Sequence, residues 1–302
     1  MLNGQLKSYV EAMAKASSII TEENPDFLVA PMCGSIPFID VMYLVDRDFD
    51  PTIVVYMPAS SKIANVNHVI DTWYSNFLNE IVKHPDIFPK VMGIDEVVSG
   101  QSVVRCFNAV DKVNQKKRKG IRQSLIERLH SQDLSKSLGA ITETDILTDN
   151  NFSYELNEMM ERIKNGEYKN KEKAVKDSHF FKEILTNCLN TKLKYKTVGI
   201  EDSKVDNKCR VYKKLIEDGI VIPVKVLSII TMDNPKYCPV QLEPLESTRK
   251  NCVQFSPKVK EVTITPEYME FLSNIAKMVG RDPSKVHPIN LNTILQSSKY
   301  LN

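Results

Sequence analysis

No stretch of this 302-residue chain approaches the roughly 20 consecutive apolar residues that a bilayer-crossing helix requires, so no membrane span is expected. Close cysteine pairs are missing as well. Cys33, Cys106, Cys188, Cys209, Cys238 and Cys252 stand apart, at no metal-ligand spacing, and read as free thiols. The five histidines are equally dispersed, so no metal is assigned directly to protein ligands. Neither sign of charge dominates: 40 Lys and Arg against 38 Asp and Glu leave a net charge of +2, which argues against a nucleic-acid partner. Met1 to Lys7 lacks the basic start, apolar core and small-residue cleavage site of a secretory signal, and the expected location is cytoplasmic.

What is present is the composition of an ordinary globular protein, 42% hydrophobic and 26% charged, long enough for a large core with an appendage. Leu6, Tyr9, Val10, Met13, Ala16 and Ile20 recur at helical spacing, and Asn24-Pro25 stops them. Short apolar strands follow at Phe27 to Pro31, Pro51 to Met57 and Val91 to Val97, each leading through a small-residue turn towards a helical pattern. Tyr195 to Ile200 and Ile220 to Ile230 resume the strand pattern, with a helix over Lys208 to Asp218 between them. Strands alternating with helices predict an α/β fold with a doubly wound, mostly parallel sheet. Residues 118–192 are polar and helical in pattern, an inserted segment that divides the core into 1–117 and 193–255. Residues 256–302 read as a C-terminal helical extension, with Thr265-Pro266-Glu267 starting one helix and Asn290 to Ser297 forming another.

The most informative stretch is Val91-Met92-Gly93-Ile94-Asp95-Glu96-Val97-Val98-Ser99-Gly100-Gln101-Ser102-Val103. A strand delivers two adjacent carboxylates, and a hydroxyl-and-glycine turn then opens a helix expected to reach about Val113. Carboxylates accept hydrogen bonds from vicinal sugar hydroxyls, while N–H groups of a helix's first turn favour a phosphate. A capped strand-to-helix turn, bound to nothing, would use the same residue types. Glu201-Asp202 is a second acid pair, without the Ser/Gly turn.

This stretch resembles the diphosphoribosyl-binding signature of type I phosphoribosyltransferases: a hydrophobic strand, two acids, two apolar residues and a Ser/Thr/Gly loop. The turn here is about one residue shorter than the usual family version. The resemblance implies that Asp95 and Glu96 meet the ribose hydroxyls and that Ser99, Gly100, Gln101 and Ser102 form the 5-phosphate loop. It also implies that Cys33, Gly34 and Ser35 line a pyrophosphate loop, in which Cys33 stands where the family often has a basic residue. Ser60, Ser61 and Lys62 fall where a mobile hood meets the diphosphate, with Lys62 in a catalytic position, and Tyr237 falls where the base is stacked. A solvated lysine and a structural tyrosine are the plainer readings of Lys62 and Tyr237, and the basic run Lys116-Lys117-Arg118-Lys119 reads as a solvated helix end. The implied reaction transfers ribose 5-phosphate from phosphoribosyl pyrophosphate to a nitrogenous base, with Mg²⁺ as cofactor. The alternative is a catalytically degenerate protein of the same fold that binds a nucleotide or serves as a scaffold. Assembly as a homodimer, or with a protein partner through the insertion, is compatible with either.

Overall fold

The computed structural model describes residues 3–60, 62–82, 89–130, 165–166, 193–228, 235–245 and 254–301; for Asn3, Cys33 and 117–130 it describes the backbone alone. The chain divides into two compact units. The first comprises Met1–Ile81, Pro89–Asp111 and Lys194–Asn302 and contains every described strand. Val82–Phe88 and Lys112–Leu193 form the second, and most of the expected insertion within it lies outside the described residues.

The core of the first unit is a five-stranded parallel sheet in the order β2-β1-β3-β4-β5. Its strands are β1 (Phe27–Pro31), β2 (Val54–Met57), β3 (Val91–Val97), β4 (Tyr195–Asp202) and β5 (Val221–Val226). β3 is buried along nearly its whole length, as a strand covered on both faces must be. Among the described residues β5 pairs only with β4 and so stands at the sheet edge, where Pro223 fits within it.

Helices α1 (Asn3–Glu23), α2 (Met32–Val45) and α6 (Pro266–Met278) pack together on one face of this sheet. There Tyr9, Met13 and Ile20 meet Phe38, Phe271 and the sheet residues Met92, Ile94, Val198 and Ile200. α1 ends as its sequence predicts: Asn24 adopts a left-handed φ of 45° and donates its N–H to Ile20 O. On the other face lie α3 (Val66–Ile81), the first part of α4 (Gln101–His130), and α5 (Arg210–Glu217). Val103 of α4 and Tyr212 and Leu215 of α5 cover Val97 and Val221 there. The two-faced cover is the expected doubly wound architecture.

Three elements depart from the sequence reading. α2 starts at Met32, directly after β1, where the sequence reading has a small-residue turn before the helix. Complete burial of Ile36, Phe38 and Ile39 outweighs the backbone hydrogen bond that Pro37 removes. α4 continues to His130 instead of stopping near Val113. An antiparallel hairpin of β6 (Val240–Leu245) and β7 (Gln254–Val262) also stands where no strands were expected, because β7 is largely exposed and carries little apolar alternation.

C-terminal segments close the unit. Thr265 caps α6 by accepting the Tyr268 N–H at 3.1 Å, as its sequence signature predicts. α7 (Leu291–Leu295) leads to a tight 3₁₀ turn, Ser297–Leu301, which packs on α3. Trp73 there donates to Ser297 O at 2.9 Å and stacks on Phe77.

Candidate functional site

Chain direction across the sheet locates the site. From β1 the chain crosses α2 to β2 on one side, then returns through α3 to β3 on the other. The winding thus reverses between β1 and β3, and in open α/β sheets ligands bind beyond the carboxyl ends of the strands at such a point. The acid pair and the Ser99–Ser102 turn sit at that end of β3, and Cys33, Gly34 and Ser35 at that end of β1.

Strand geometry separates the two acids, because successive side chains of β3 point to opposite faces. Asp95 faces α4 and is only 7% exposed. Its carboxylate accepts the Glu96 N–H at 2.9 Å and the Ser102 hydroxyl, while Oδ2 is buried without a partner. Burial pushes the Asp95 carboxyl up to about 6, against the lowering effect of those two hydrogen bonds. Around it lie Tyr74, Cys106, Tyr195 and Thr197; the Tyr74 and Tyr195 hydroxyls are 3.3 Å apart, and burial pushes the Cys106 thiol up. Gly93 belongs to this cluster by necessity, since a Cβ there would lie 2.9 Å from the Tyr195 hydroxyl.

Glu96 points to the other face and is half-buried beneath the first turn of α2. A Cβ at Gly34 would lie 3.3 Å from Glu96 Oε2, so glycine is what allows that close approach. Ser35 is fully buried, and its hydroxyl donates to Ile94 O at 3.1 Å, which ties α2 to β3. The expected loop at Cys33–Ser35 is therefore the first turn of a helix, whose N–H groups face the carboxyl end of the sheet.

The turn after β3 is clamped from β4 and α5. Ser99 Oγ accepts the Gln101 N–H at 3.4 Å, and Ser99 O accepts the Cys209 N–H at 2.9 Å. Gly100 has a φ of +80°, and the place of its missing Cβ is taken by the Tyr212 ring. The Tyr212 hydroxyl in turn donates to Glu201 Oε1 at 2.8 Å. Lys208 Nζ donates to Val97 O at 3.3 Å and Val205 O at 2.9 Å, which sets a cation beside the turn. Sequence reasoning missed Lys208 and Tyr212. Only Glu201-Asp202 had marked the end of β4, and nothing in Lys208's neighbourhood along the chain pointed to Val97.

The remaining candidates divide. Beyond β2, Lys62 is exposed and Ser60 half-buried, while Ser61 lies outside the described residues. Lys62 O accepts the Phe255 N–H and Phe255 O accepts the Ala64 N–H, which couples this segment to β7. Gln101 is exposed and Ser102 half-buried at the start of α4. Tyr237 stacks on Phe271 of α6 at 5.1 Å and belongs to the core on that face. Of the basic run, Lys116 is exposed, and the side chains of Lys117, Arg118 and Lys119 lie outside the described residues.

Among the described residues no group of three or more His, Cys, Asp or Glu is arranged to hold a metal ion, and no helix is long and apolar enough to cross a membrane. The divided acid pair does not form a protein cage for Mg²⁺, which binds phosphate substrates through their own oxygens and one or two carboxylates. The α/β architecture is compatible with that of phosphoribosyltransferases. Comparisons with protein-family models, curated proteins and solved structures gave no match.

Proposed function

We propose that the carboxyl ends of β1 and β3 bind a ribose 5-phosphate group and that the protein is a phosphoribosyltransferase acting on phosphoribosyl pyrophosphate and a nitrogenous base. One observation supports the reading: β3 ends in an acid pair and leads directly into the N-terminus of a long helix, at the carboxyl end of the sheet where the winding reverses. The two acids take different parts. Glu96 contacts the sugar hydroxyls, while Asp95 holds the Glu96 N–H and Ser102 and thereby sets the shape of the turn. The N–H groups that open α4 receive the phosphate, and those that open α2 face the diphosphate. Mg²⁺ would enter with the diphosphate and neutralise charge on the leaving group. Positioning and electrostatic stabilisation of a cationic sugar suffice for such a transfer, so no cysteine is given a covalent role.

A calorimetric titration with phosphoribosyl pyrophosphate and Mg²⁺ tests this assignment. Binding to the wild type that is lost in Glu96→Gln, in a variant whose circular dichroism is unchanged, is the expected result. Equal binding by both proteins removes the assignment.

A second reading, a nucleotide-binding protein of this fold without turnover, is favoured by the burial of Asp95 and by the engagement of Ser35 with Ile94. Pyrophosphate release across a panel of bases separates the two, because binding without release identifies the non-catalytic form.

A further inference from the structure

α2 ends at Val45 and α6 at Met278, and the chain leaving α6 turns sharply at Gly280, whose φ is +70°. Between these ends opens a cleft of about 430 Å³ whose polar and aromatic lining is Tyr43, Arg47, Arg281, Asp282, Lys285 and His287. Because α2 runs back from the carboxyl end of β1, its C-terminus lies at the opposite end of the sheet from the site described above.

Cations gather at helix C-termini for a simple reason, the partial negative charge of the last carbonyls. Several of those carbonyls here accept backbone donors: Met42 O accepts the Asp46 N–H, Ile275 O the Val279 N–H and Ala276 O the Arg281 N–H. Among the described residues, no side chain of Arg47, Arg281 or Lys285 donates to a helix-terminal carbonyl, and neither arginine pairs with a carboxylate. Asp282 is the single acid in the lining; it accepts the Ser284 N–H and hydroxyl and stands 3.9 Å from Lys285 Nζ. Asp46, next to Arg47 in sequence, accepts the Ser17 hydroxyl and the Asp48 N–H instead. The Arg281 guanidinium lies over the Tyr43 ring, 5.9 Å from its centroid, which orients it without neutralising it.

We propose that this cleft is a second binding site, for a small oligophosphate anion. Guanidinium forks donate paired N–H groups to phosphoryl oxygens, a capacity that a lone carboxylate would only partly use. Two arginines, a lysine and an imidazole against one carboxylate match a ligand of more than one negative charge. The volume suits a small molecule, at the lower end of the roughly 300–1,000 Å³ usual for ligand pockets.

Inorganic pyrophosphate without Mg²⁺, titrated calorimetrically into the full chain at low salt, is the test. The Arg47→Gln/Arg281→Gln variant is expected to bind at least about tenfold more weakly, as befits the loss of charge-assisted hydrogen bonds. Arg281→Lys keeps the charge but loses the fork and is expected to fall between. The difference between the wild type and the double-arginine variant reports this cleft alone, whether or not the β1/β3 end of the sheet takes phosphoribosyl pyrophosphate or its diphosphate, because Arg47 and Arg281 lie at the opposite end of the sheet. No binding to the wild type at millimolar pyrophosphate, or equal binding by the double-arginine variant, overturns the proposal.

Discussion

Two carboxyls with almost no access to water govern the expected response of this protein to pH. Asp40, 2% exposed, accepts the Tyr268 hydroxyl at 2.5 Å and the Ile289 N–H at 2.9 Å, and burial pushes it up to about 7. Asp95 is pushed up to about 6 by the same cause. An acid raised in the folded state keeps its proton there while the unfolded chain, at about 3.9, has lost it. The stability that protonation contributes is thus complete below about pH 4 and is lost as pH rises through about 6 for Asp95 and 7 for Asp40. Glu23 is held low by Lys196 and Lys90 and acts in the opposite sense, so the comparison must be made against variants. Asp40→Asn/Asp95→Asn is expected to gain stability relative to the wild type as pH is raised from 4.5 to 7.5, read from urea midpoints. A difference that does not change with pH rejects this account.

Gly100 offers a second test at the same scale. An alanine there would need a left-handed backbone and a Cβ 2.3 Å from Tyr212 Cγ, so a loss of roughly 2–4 kcal/mol is expected. Gly219→Ala, at a similar φ of +68° but in open space, should lose only about 1–2 kcal/mol. Denaturant unfolding of the pair isolates the contact with Tyr212. The sequence marked Gly100 as a turn residue, but the ring it accommodates comes from α5, more than a hundred residues later.

Among the elements, α3 is covered by a distant part of the chain. Trp73 is fully buried, stacks on Phe77 at 4.8 Å and meets the Tyr300 ring edge-on at 5.2 Å. Removal of residues 297–302 is expected to expose Trp73, with a red shift of the single-tryptophan fluorescence and a lower thermal midpoint. Unchanged emission would show that the 3₁₀ turn is not its cover. Helical spacing revealed α1 and α6, with their ends at Asn24 and Thr265, because caps and apolar periodicity are local. The start of α2 was illegible because Pro37 argues locally for a turn while burial of its neighbours decides for helix. β6 and β7 escaped notice because their pairing, with irregular register near Leu242, leaves few buried positions to betray a period of two.

For the whole molecule, the sheet and both of its helical layers come from Met1–Ile81, Pro89–Asp111 and Lys194–Asn302. Replacing residues 117–192 by a Gly/Ser linker of about ten residues, which reaches roughly 33 Å when extended, is expected to leave this unit cooperatively folded. A non-cooperative thermal transition in the excised protein would show that the unit needs the removed segment. Alternating strand and helix patterns made the α/β class readable from the chain alone, since apolar runs of strand length bounded by turns need no partner to be recognised. The same local rules exposed the acid pair and the Ser/Gly turn, whose residue types carry their chemistry with them. Only the tertiary structure decided that Asp95 is buried while Glu96 lies against Gly34 of α2, that Tyr212 and Lys208 close the turn, and that Arg47 and Arg281 share a cleft. Those facts depend on strand order and helix packing, which join residues far apart in sequence, and no local pattern records the joining.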